Sequence, residues 1–564
     1  MTWSVKNRLR ELATGETGSL SKDPGGKLSV ALIWPGDYRT SLSALGYLSI
    51  YGFLNSRPDA LAERFFWPDD DLGESYRRSG ALLMSLESGR PLRDFDLIAA
   101  SLSLENDYWR LPALLAAGGL APNRAERSEA DPPVLAGGVA VWANPWPLWL
   151  WVDLVLAGEA EAQWPQLLSA AISGASLLKT DRLRHLAGNT PGALCSEALA
   201  DLPSADLPSA VRPAALAWPP PETQLPPVSS IISPKAEFSN VRLVEISRGC
   251  PHGCRFCLTG ALFRPHRPWP LKAILRALGP PAAEKVGLVS SAAAEHPELS
   301  ELLAELFRQG RSVTISSLRL TALTPNLAKK LAAGRLHGVA VAPEAGSQDL
   351  RDRLNKDITE AQILDGVRLL SEAGLKNLKL YFILGLPGET QADLAALADL
   401  AREIRRAAGV RPSLAISLAN FTPKPHTPLE GAAMNTAGEL KSKGAWVTKA
   451  LKCLPGLKVN LDPPLWSITQ GLLARGGPES GRLVAALFRH RGRLKPSLAE
   501  FGYTSDHPLH RPWPDDKQRP WRLIQTAAGL KYLAEEAARA DQGLFTAPCP
   551  LGNICGRCSA CAKP

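Results

Sequence analysis

The sequence predicts an α/β protein in three parts. These are an N-terminal Rossmann-like parallel-sheet domain, a partial (β/α)6 barrel and a mostly helical C-terminal region. Three observations predict it. Short apolar runs alternate with helical stretches over residues 28–175, the pattern of a parallel sheet covered on both faces. The alternation returns over residues 240–430 with a period of about 30 residues, the size of one βα unit. Between the two, residues 198–236 are crowded with proline, which removes backbone donors and stiffens the chain.

In chain order, residues 1–26 read as an N-terminal extension. It carries Lys6, Arg8, Arg10 and Glu11 but no apolar h-region, so no signal peptide is expected. The Rossmann-like domain is assigned to residues 27–175. Strands are expected at 28–34, 96–102, 133–138 and 153–159, with a helix over 109–118. Ligands of such sheets sit at the carboxyl ends of the strands, which here carry Pro35-Gly36, Gly137-Gly138 and Gly158-Glu159. Residues 176–239 read as an extended linker and include Asp-Leu-Pro-Ser-Ala twice in tandem, at 201–205 and 206–210. The barrel is assigned to 240–432. Its strands are expected at 242–247, 285–290, 312–317, 338–342, 377–384 and 414–419. Helices are expected at 297–308, 326–333, 360–372 and 393–406. Barrel chemistry gathers at the carboxyl-terminal rim of the strands. Residues 433–545 read as helical, with an amphipathic stretch over 521–540, and 546–564 form a cysteine-rich tail.

Size and composition bound the function. The 564 residues allow three or four domains. The apolar stretch from Trp146 to Ala160 is broken by Asp153 and is too short to span a bilayer, so no membrane association is expected. Seven of the nine cysteines fall in two tight groups; clustering of this kind points to metal in a reducing compartment, hence a cytoplasmic protein. A net charge of +9 permits an anionic partner such as RNA. The densest basic run, 489–495, has no interleaved aromatic residue for base stacking and reads as a solvated helix end.

The cysteines carry the chemistry. Cys250, Cys254 and Cys257 lie within eight residues, directly after the first barrel strand. Three thiolates so placed can grip one face of a 4Fe–4S cluster and leave one iron open for a small molecule. The alternative is zinc, which wants four closed ligands and would need His252 or His266 as well. Gly253 is expected to let the backbone approach the cluster closely. The tail group, Cys549, Cys555, Cys558 and Cys561, supplies four ligands, enough for a closed zinc site or an auxiliary Fe–S cluster.

The triplet, with Phe256 just before its last cysteine, resembles the radical S-adenosylmethionine (SAM) superfamily. The resemblance implies that the open iron chelates SAM and that one electron splits it into methionine and a 5′-deoxyadenosyl radical. It implies Phe256 against the adenine and Glu344, in Ala342-Pro343-Glu344-Ala345-Gly346-Ser347, on the ribose hydroxyls. It also implies an adenine strand leading into Gly385-Leu386-Pro387-Gly388-Glu389-Thr390, where Gly385 and Gly388 admit the ligand. One departure stands out. The superfamily's Gly-Gly-Glu-type turn for the methionine amine is replaced by Ser290-Ser291-Ala292-Ala293-Ala294-Glu295, where serine hydroxyls or backbone carbonyls would substitute.

Other stretches resemble the cobalamin-binding-domain class of that superfamily, over nearly the whole chain. They are Gly137-Gly138, Asn144-Pro145, Asp153, Gly158-Glu159-Ala160-Glu161, Leu258-Thr259-Gly260, Arg264-Pro265, Leu350-Arg351, Asn355-Lys356, Pro423-Lys424-Pro425-His426-Thr427-Pro428 and Ala474-Arg475-Gly476. No histidine precedes His185, so a cobalt-ligating histidine from the N-terminal sheet is excluded. Either cobalamin binds without one, or the domain serves as a substrate or scaffold module. Trp142, Trp146, Trp149 and Trp151 suit a corrin face or a domain interface. The resemblance implies an electron donor such as flavodoxin or ferredoxin and, with cobalamin, a methyltransferase. Two alternatives stay open: a methylthiotransferase-like modifier of RNA or ribosomal protein, and a non-catalytic Fe–S scaffold for RNA binding or assembly. No catalytic side chain beyond the cluster ligands is singled out.

Overall fold

The computed structural model describes residues 2–197, 211–216, 220, 222–280, 284–315, 317–334, 336, 338–409, 412–452, 454, 456–514, 518–525, 527–550, 555–558 and 560–561. The tandem pentapeptide and Cys453 lie outside the described residues.

Six strands build the first sheet: β1 (Leu28–Trp34), β2 (Ala60–Phe66), β3 (Leu97–Ser101), β4 (Val134–Gly137), β5 (Leu154–Leu156) and β6 (Ala193–Cys195). Their order is β2-β1-β3-β4-β5-β6, parallel throughout except for the β5–β6 pair. β2 is an addition to the expected strands. Its sequence, Ala-Leu-Ala-Glu-Arg-Phe-Phe, places two charges mid-strand, yet every residue is buried. Arg64 is held by Glu16 (2.7 Å) and Glu87 (2.6 Å), and Glu63 by Ser85 (2.5 Å) and Arg90 (3.1 Å). Pairing of this kind is what lets charge sit inside a sheet.

The linker expected from residue 176 starts later. Helix Lys179–Asn189 and β6 bring the chain back onto the sheet as an antiparallel edge. Farther along, Ala214 bridges Gly158 and Val211 bridges Ile524. Gly158, at φ 124°, has no room for a side chain, since a Cβ would meet the Ala214 oxygen at 2.3 Å. The tightness at this strand end therefore serves the returning chain.

The barrel strands are β7 (Val241–Glu245), β8 (Lys285–Val289), β9 (Ser312–Ile315), β10 (Gly338–Glu344), β11 (Asn377–Leu384), β12 (Ser413–Asn420) and β13 (Leu457–Leu461). They form two parallel ladders, β9-β8-β7 and β10-β11-β12-β13, joined by a parallel bridge between Ser317 and Ala340. Buried Leu380, Phe382, Ile416 and Val341 fill the core with the inward faces of the surrounding helices. The seventh strand, β13, falls in the region expected to be helical. Its polar, largely exposed run, Leu-Lys-Val-Asn-Leu, is that of an edge strand and not of a buried one.

The C-terminal helices are Ala437–Leu451, Pro464–Arg475, Ser480–Arg489, Leu494–Phe501 and Leu530–Asp541. The amphipathic stretch expected over 521–540 is helical only from Leu530; before it, Pro520–Leu523 is a short 3-10 turn. The basic run ends helix Ser480–Arg489, where His490 pairs with Glu500 (2.8 Å). Among the described residues no helix is long and apolar enough to cross a membrane.

The first domain docks on these helices through its tryptophans. Trp146 donates to the Pro520 carbonyl (2.9 Å), Trp149 donates to the Pro478 carbonyl (3.0 Å) and Trp151 stacks edge-on against Phe488. Three of the four tryptophans thus form an interface and no corrin face. Asn144 donates to the carbonyls of Leu473, Ala474 and Gly476 (3.3, 3.0 and 2.8 Å), so two separate sequence motifs meet here.

His426 joins the first domain to the barrel. It is fully buried and donates from Nε2 to the Ala143 carbonyl (3.0 Å), while Nδ1 has no partner. Burial, then the charge of Arg522, lowers the imidazole to about 3. The native ring stays neutral while the unfolded chain takes up a proton below pH of about 6.5, so stability is present above that pH and falls as pH falls. The expected loss is about 2 kcal/mol between pH 6.5 and 5. Denaturant unfolding of His426→Gln, which keeps an N–H donor, should show that much less decline over the same interval; an equal decline would contradict the assignment.

Candidate active site at the barrel rim

After β7 the chain makes a short antiparallel ribbon, Ser247–Arg248 with Arg267–Pro268, and the cysteine loop lies between its arms. Gly249 enters the loop at φ 75°, where a Cβ would meet the Phe263 oxygen at 2.0 Å. Cys257 then caps helix Leu258–Leu262. Burial and the neighbouring Cys254 push the Cys250 thiol up to about 12. Burial likewise raises Cys257, against the N–H groups of Gly260 and Thr259. Raised in this way, the thiols stay protonated unless a metal takes the place of their protons. Among the described residues no three His, Cys, Asp or Glu side chains converge tightly enough to share one ion. Cys250, Cys254 and Cys257 could each bind a different iron of a cube.

Arg255, inside the triplet, fixes the loop. Its guanidinium is fully buried. It donates to Glu536 (3.1 Å), to the Leu544 carbonyl (2.6 Å), and to the carbonyls of Asp352 (3.2 Å) and Arg353 (3.0 Å). Asn355 bonds the Gly253 carbonyl (3.3 Å) and both backbone polar groups of Thr546 (3.0 and 2.8 Å). The missing Cβ of Gly253 faces Asn355, 3.1 Å away, and the Tyr532 hydroxyl. A side chain here would crowd the Asn355 amide, so packing also favours glycine at this position.

Around the loop, the structure places the expected residues as follows. Phe256 is half-buried against the apolar group of Ala345, Leu386 and Phe421, at the ends of β10, β11 and β12. Glu344 ends β10 after a bulge, at φ 68°, and one carboxylate oxygen is held by Lys356 (2.8 Å). Gly385 and Gly388 adopt φ 78° and 75° in the turn after β11, and the Gly385 N–H donates to Glu389 (2.9 Å). In the divergent turn after β8, the Ser290 hydroxyl is taken by Ser247 (2.6 Å). Glu295 reaches His252 inside the cysteine loop (2.7 Å), and its other oxygen is buried with no partner. Cys549, Cys555, Cys558 and Cys561 lie against the far side of the loop, with the Cys549 N–H on the Pro251 carbonyl (2.7 Å).

The carboxylates of the first domain's Gly-Glu-Ala-Glu stretch turn toward the same rim. Arg248, two residues before Cys250, pairs with Glu161 (2.8 Å) and Glu245 (2.7 Å), and Arg267 pairs with Glu159. Between the two domains lies a cavity of about 440 Å³. Gly137, Gly138 and Glu161 line it from the first sheet, and Arg248, Thr259 and Ser290 from the barrel. Trp142 also lines it, its ring edge-on to Phe263 at 4.9 Å. No lining residue is a histidine.

Arg255, Lys356, Arg248 and Glu295 were missed as site residues. The available signal was a charge set between cysteines or beside a strand end, where burial is expected and charge must be paired. Arg255→Leu removes bonds to three segments and leaves buried Glu536 with only the Thr546 hydroxyl (2.7 Å) and the more distant Arg539 (3.6 Å), a change that costs about 3 kcal/mol. Its purified form should retain less than half the iron of the unchanged chain, by metal analysis after oxygen-free purification. Arg255→Lys should recover part of it.

Comparisons with known proteins identify the family. A family model described as radical SAM proteins, N-terminal, matches residues 46–193, and one described as the radical SAM superfamily matches residues 244–401. An uncharacterised protein of Methanocaldococcus jannaschii is 27% identical over 458 residues, 79% of this chain and 88% of that protein. A tRNA-2-methylthio-N(6)-dimethylallyladenosine synthase of Sorangium cellulosum is 30% identical over 235 residues, 36% of this chain and 45% of that protein. Among solved structures, the radical S-adenosylmethionine methyltransferase TsrM from Kitasatospora setae, with cobalamin and a [4Fe-4S] cluster bound, matches at 15% identity. That match covers 70% of this chain and 72% of TsrM with a TM-score of 0.47. The two family models span more than half of the chain, which belongs to the radical SAM superfamily of enzymes.

Proposed function

We propose that the protein cleaves SAM reductively at a 4Fe–4S cluster held by Cys250, Cys254 and Cys257, and turns the product on a substrate in the cavity between its domains. The single observation that carries this reading is the convergence of the three-cysteine loop, the β10 and β11 rim and the cavity wall on one side of the barrel. When bound and reduced, the cluster supplies the one electron that splits the sulfonium into methionine and a 5′-deoxyadenosyl radical.

The chain's own residues position and shield. Glu295 offers its unpartnered oxygen to the methionine ammonium, beside Ser290, whose hydroxyl bonds Ser247. A buried carboxylate without a donor is costly, and a cationic ligand satisfies it. Glu344 keeps one oxygen on Lys356 and turns the other to the ribose hydroxyls. Phe256 offers the adenine an apolar face, and the left-handed turn at Gly385 and Gly388 lets the backbone come close. The arginine–carboxylate pairs hold the two walls of the cavity together and fix the barrel rim against the first domain.

The cavity residues suit either a substrate or the methyl-bearing face of a cobalamin held without a histidine ligand; with cobalamin, methylation is the outcome. The stretch shared with the tRNA-modifying synthase favours a second reading, in which RNA or a ribosomal protein is the substrate. Salt-sensitive RNA binding would support it. Either way, an external low-potential protein such as flavodoxin or ferredoxin supplies the electron, and the reducing cytoplasm suits the cysteines.

The test is turnover of SAM by reconstituted, dithionite-reduced enzyme under anaerobic conditions, with corrinoid analysis of the same preparation. 5′-Deoxyadenosine should form, and Cys257→Ala should bring it to background. Product from Cys257→Ala at the unchanged rate would reject the site, and none from the unchanged chain would reject the reading.

A further inference from the structure

Gln163 carries an unanswered hydrogen-bond acceptor to the cavity between the domains. It lies in helix Ala160–Ser173, which follows β5, and is only 2% exposed. Its side-chain nitrogen donates to the carbonyls of Ala157 (3.1 Å) and Pro191 (2.9 Å). Only the nitrogen end of an amide can meet two carbonyls, so the orientation of the group is fixed. Neither Ala157 nor Pro191 lines the cavity, whereas Gln163 does. The oxygen is therefore left on the cavity side, and among the described residues nothing donates to it. A buried acceptor without a donor is costly, and native proteins hold few of them.

The charged groups of the wall have nothing left to offer a ligand. Arg248 is the only Arg, Lys or His in the lining. Its Nε and Nη2 donate to Glu245 (2.8 and 2.7 Å), and its Nη1 and Nη2 donate to Glu161 (3.0 and 2.8 Å). Those bonds occupy every oxygen of both carboxylates. Glu159, the third acid of the lining, takes Arg267 on both oxygens and the Leu216 N–H (2.7 Å) on one of them. A phosphate or carboxylate entering here would find no free guanidinium, and an ammonium no free carboxylate. Most of the remaining wall is apolar, with Trp142, Trp164, Phe263, Leu135 and Leu156. At about 440 Å³ the cavity has the size that holds a compact organic molecule.

We propose that the substrate is a small, uncharged and largely apolar molecule that presents one hydroxyl or N–H to the Gln163 oxygen. The proposal rests on the reading of the cavity as the substrate site under Proposed function and adds the class of molecule that enters it. The aromatic and leucine walls hold the body of the molecule by excluding water from it. The single hydrogen bond sets which way the body points, and the amide that makes it is already locked by its two carbonyls. A polynucleotide brings a phosphate with each base, and the lining has no cation free to take one.

Three probes test this. Para-ethylphenol has an apolar body and one donor, para-ethylanisole has the same body without the donor, and para-ethylbenzoate is charged. Calorimetry on the full chain, reconstituted without oxygen, should show para-ethylphenol binding about fivefold more tightly than para-ethylanisole. Para-ethylbenzoate should bind the most weakly of the three. Gln163→Met should bring the first two probes within about twofold of each other. Ser101→Trp, which fills the cavity from the end of β3, should abolish binding of both while its circular dichroism spectrum stays that of the unchanged chain. Equal binding of the phenol and the anisole by the unchanged chain would assign the Gln163 oxygen to a bound water and overturn the proposal; this comparison needs no variant. Failure of the phenol to bind, tighter binding of the benzoate, or displacement of the phenol by tRNA or by cobalamin would overturn it as well. Selective binding of the phenol by a chain that leaves SAM intact would support this inference and sink the catalytic reading. SAM cleavage by a chain that binds phenol and anisole equally would do the reverse.

Discussion

The guanidinium of Arg255 is the constraint on which the site depends. It sits between two cysteines, with no access to water, and five donors on a permanently charged group must find acceptors. They find them on helix Leu530–Asp541, on the segment that follows it, and on the end of helix Gln348–Arg353. The first two are neighbours in sequence, and both lie far along the chain from the third and from Arg255 itself. The cysteine loop can take its place only when the barrel rim and the C-terminal segment are already together. A ligand loop for a cluster has to be rigid, since an open iron is useful only if its neighbours stay fixed. Rigidity here comes from a buried charge and not from the cysteines.

A second set of charges does the same between domains. Arg248 and Arg267 flank the cysteine loop, and their partners Glu159 and Glu161 lie just past β5 of the first sheet. The strand end that fold rules mark as a ligand position is therefore also the contact that orients the first domain over the barrel. The cavity between them is a consequence of that contact. Its walls carry glycine backbone and tryptophan from one side and Arg248, Gly249 and Thr259, which flank the cysteine triplet, from the other.

Much of this was legible in sequence. The strand alternation located four strands of the first sheet and six of the barrel, because buried parallel strands are continuous apolar runs. Charge hid β2, whose Glu63 and Arg64 are paired inside the sheet, and exposure hid β13. The cysteine groups were visible as spacing. Their contact was not, since residues 250–257 and 549–561 are joined only by the folded chain. The Gly-Glu-Ala-Glu, Asn-Pro and Ala-Arg-Gly stretches could be read as motifs, but their work is in pairs: Asn144 with the carbonyls around Arg475, and Glu159 and Glu161 with arginines of the loop. A single sequence shows the members and not the pairing. The tryptophans were ambiguous for the same reason, as an indole suits a cofactor face or a domain interface until its N–H partner is known.

The central claim is that one iron of the triplet's cluster is open and takes the amino-acid end of SAM. The most direct measurement is electron–nuclear double resonance on the reduced enzyme with SAM labelled with ¹⁵N at its amino group. Hyperfine coupling between the cluster and that nitrogen is the predicted result. Saturating labelled SAM with no coupling at a reduced cluster would contradict the account.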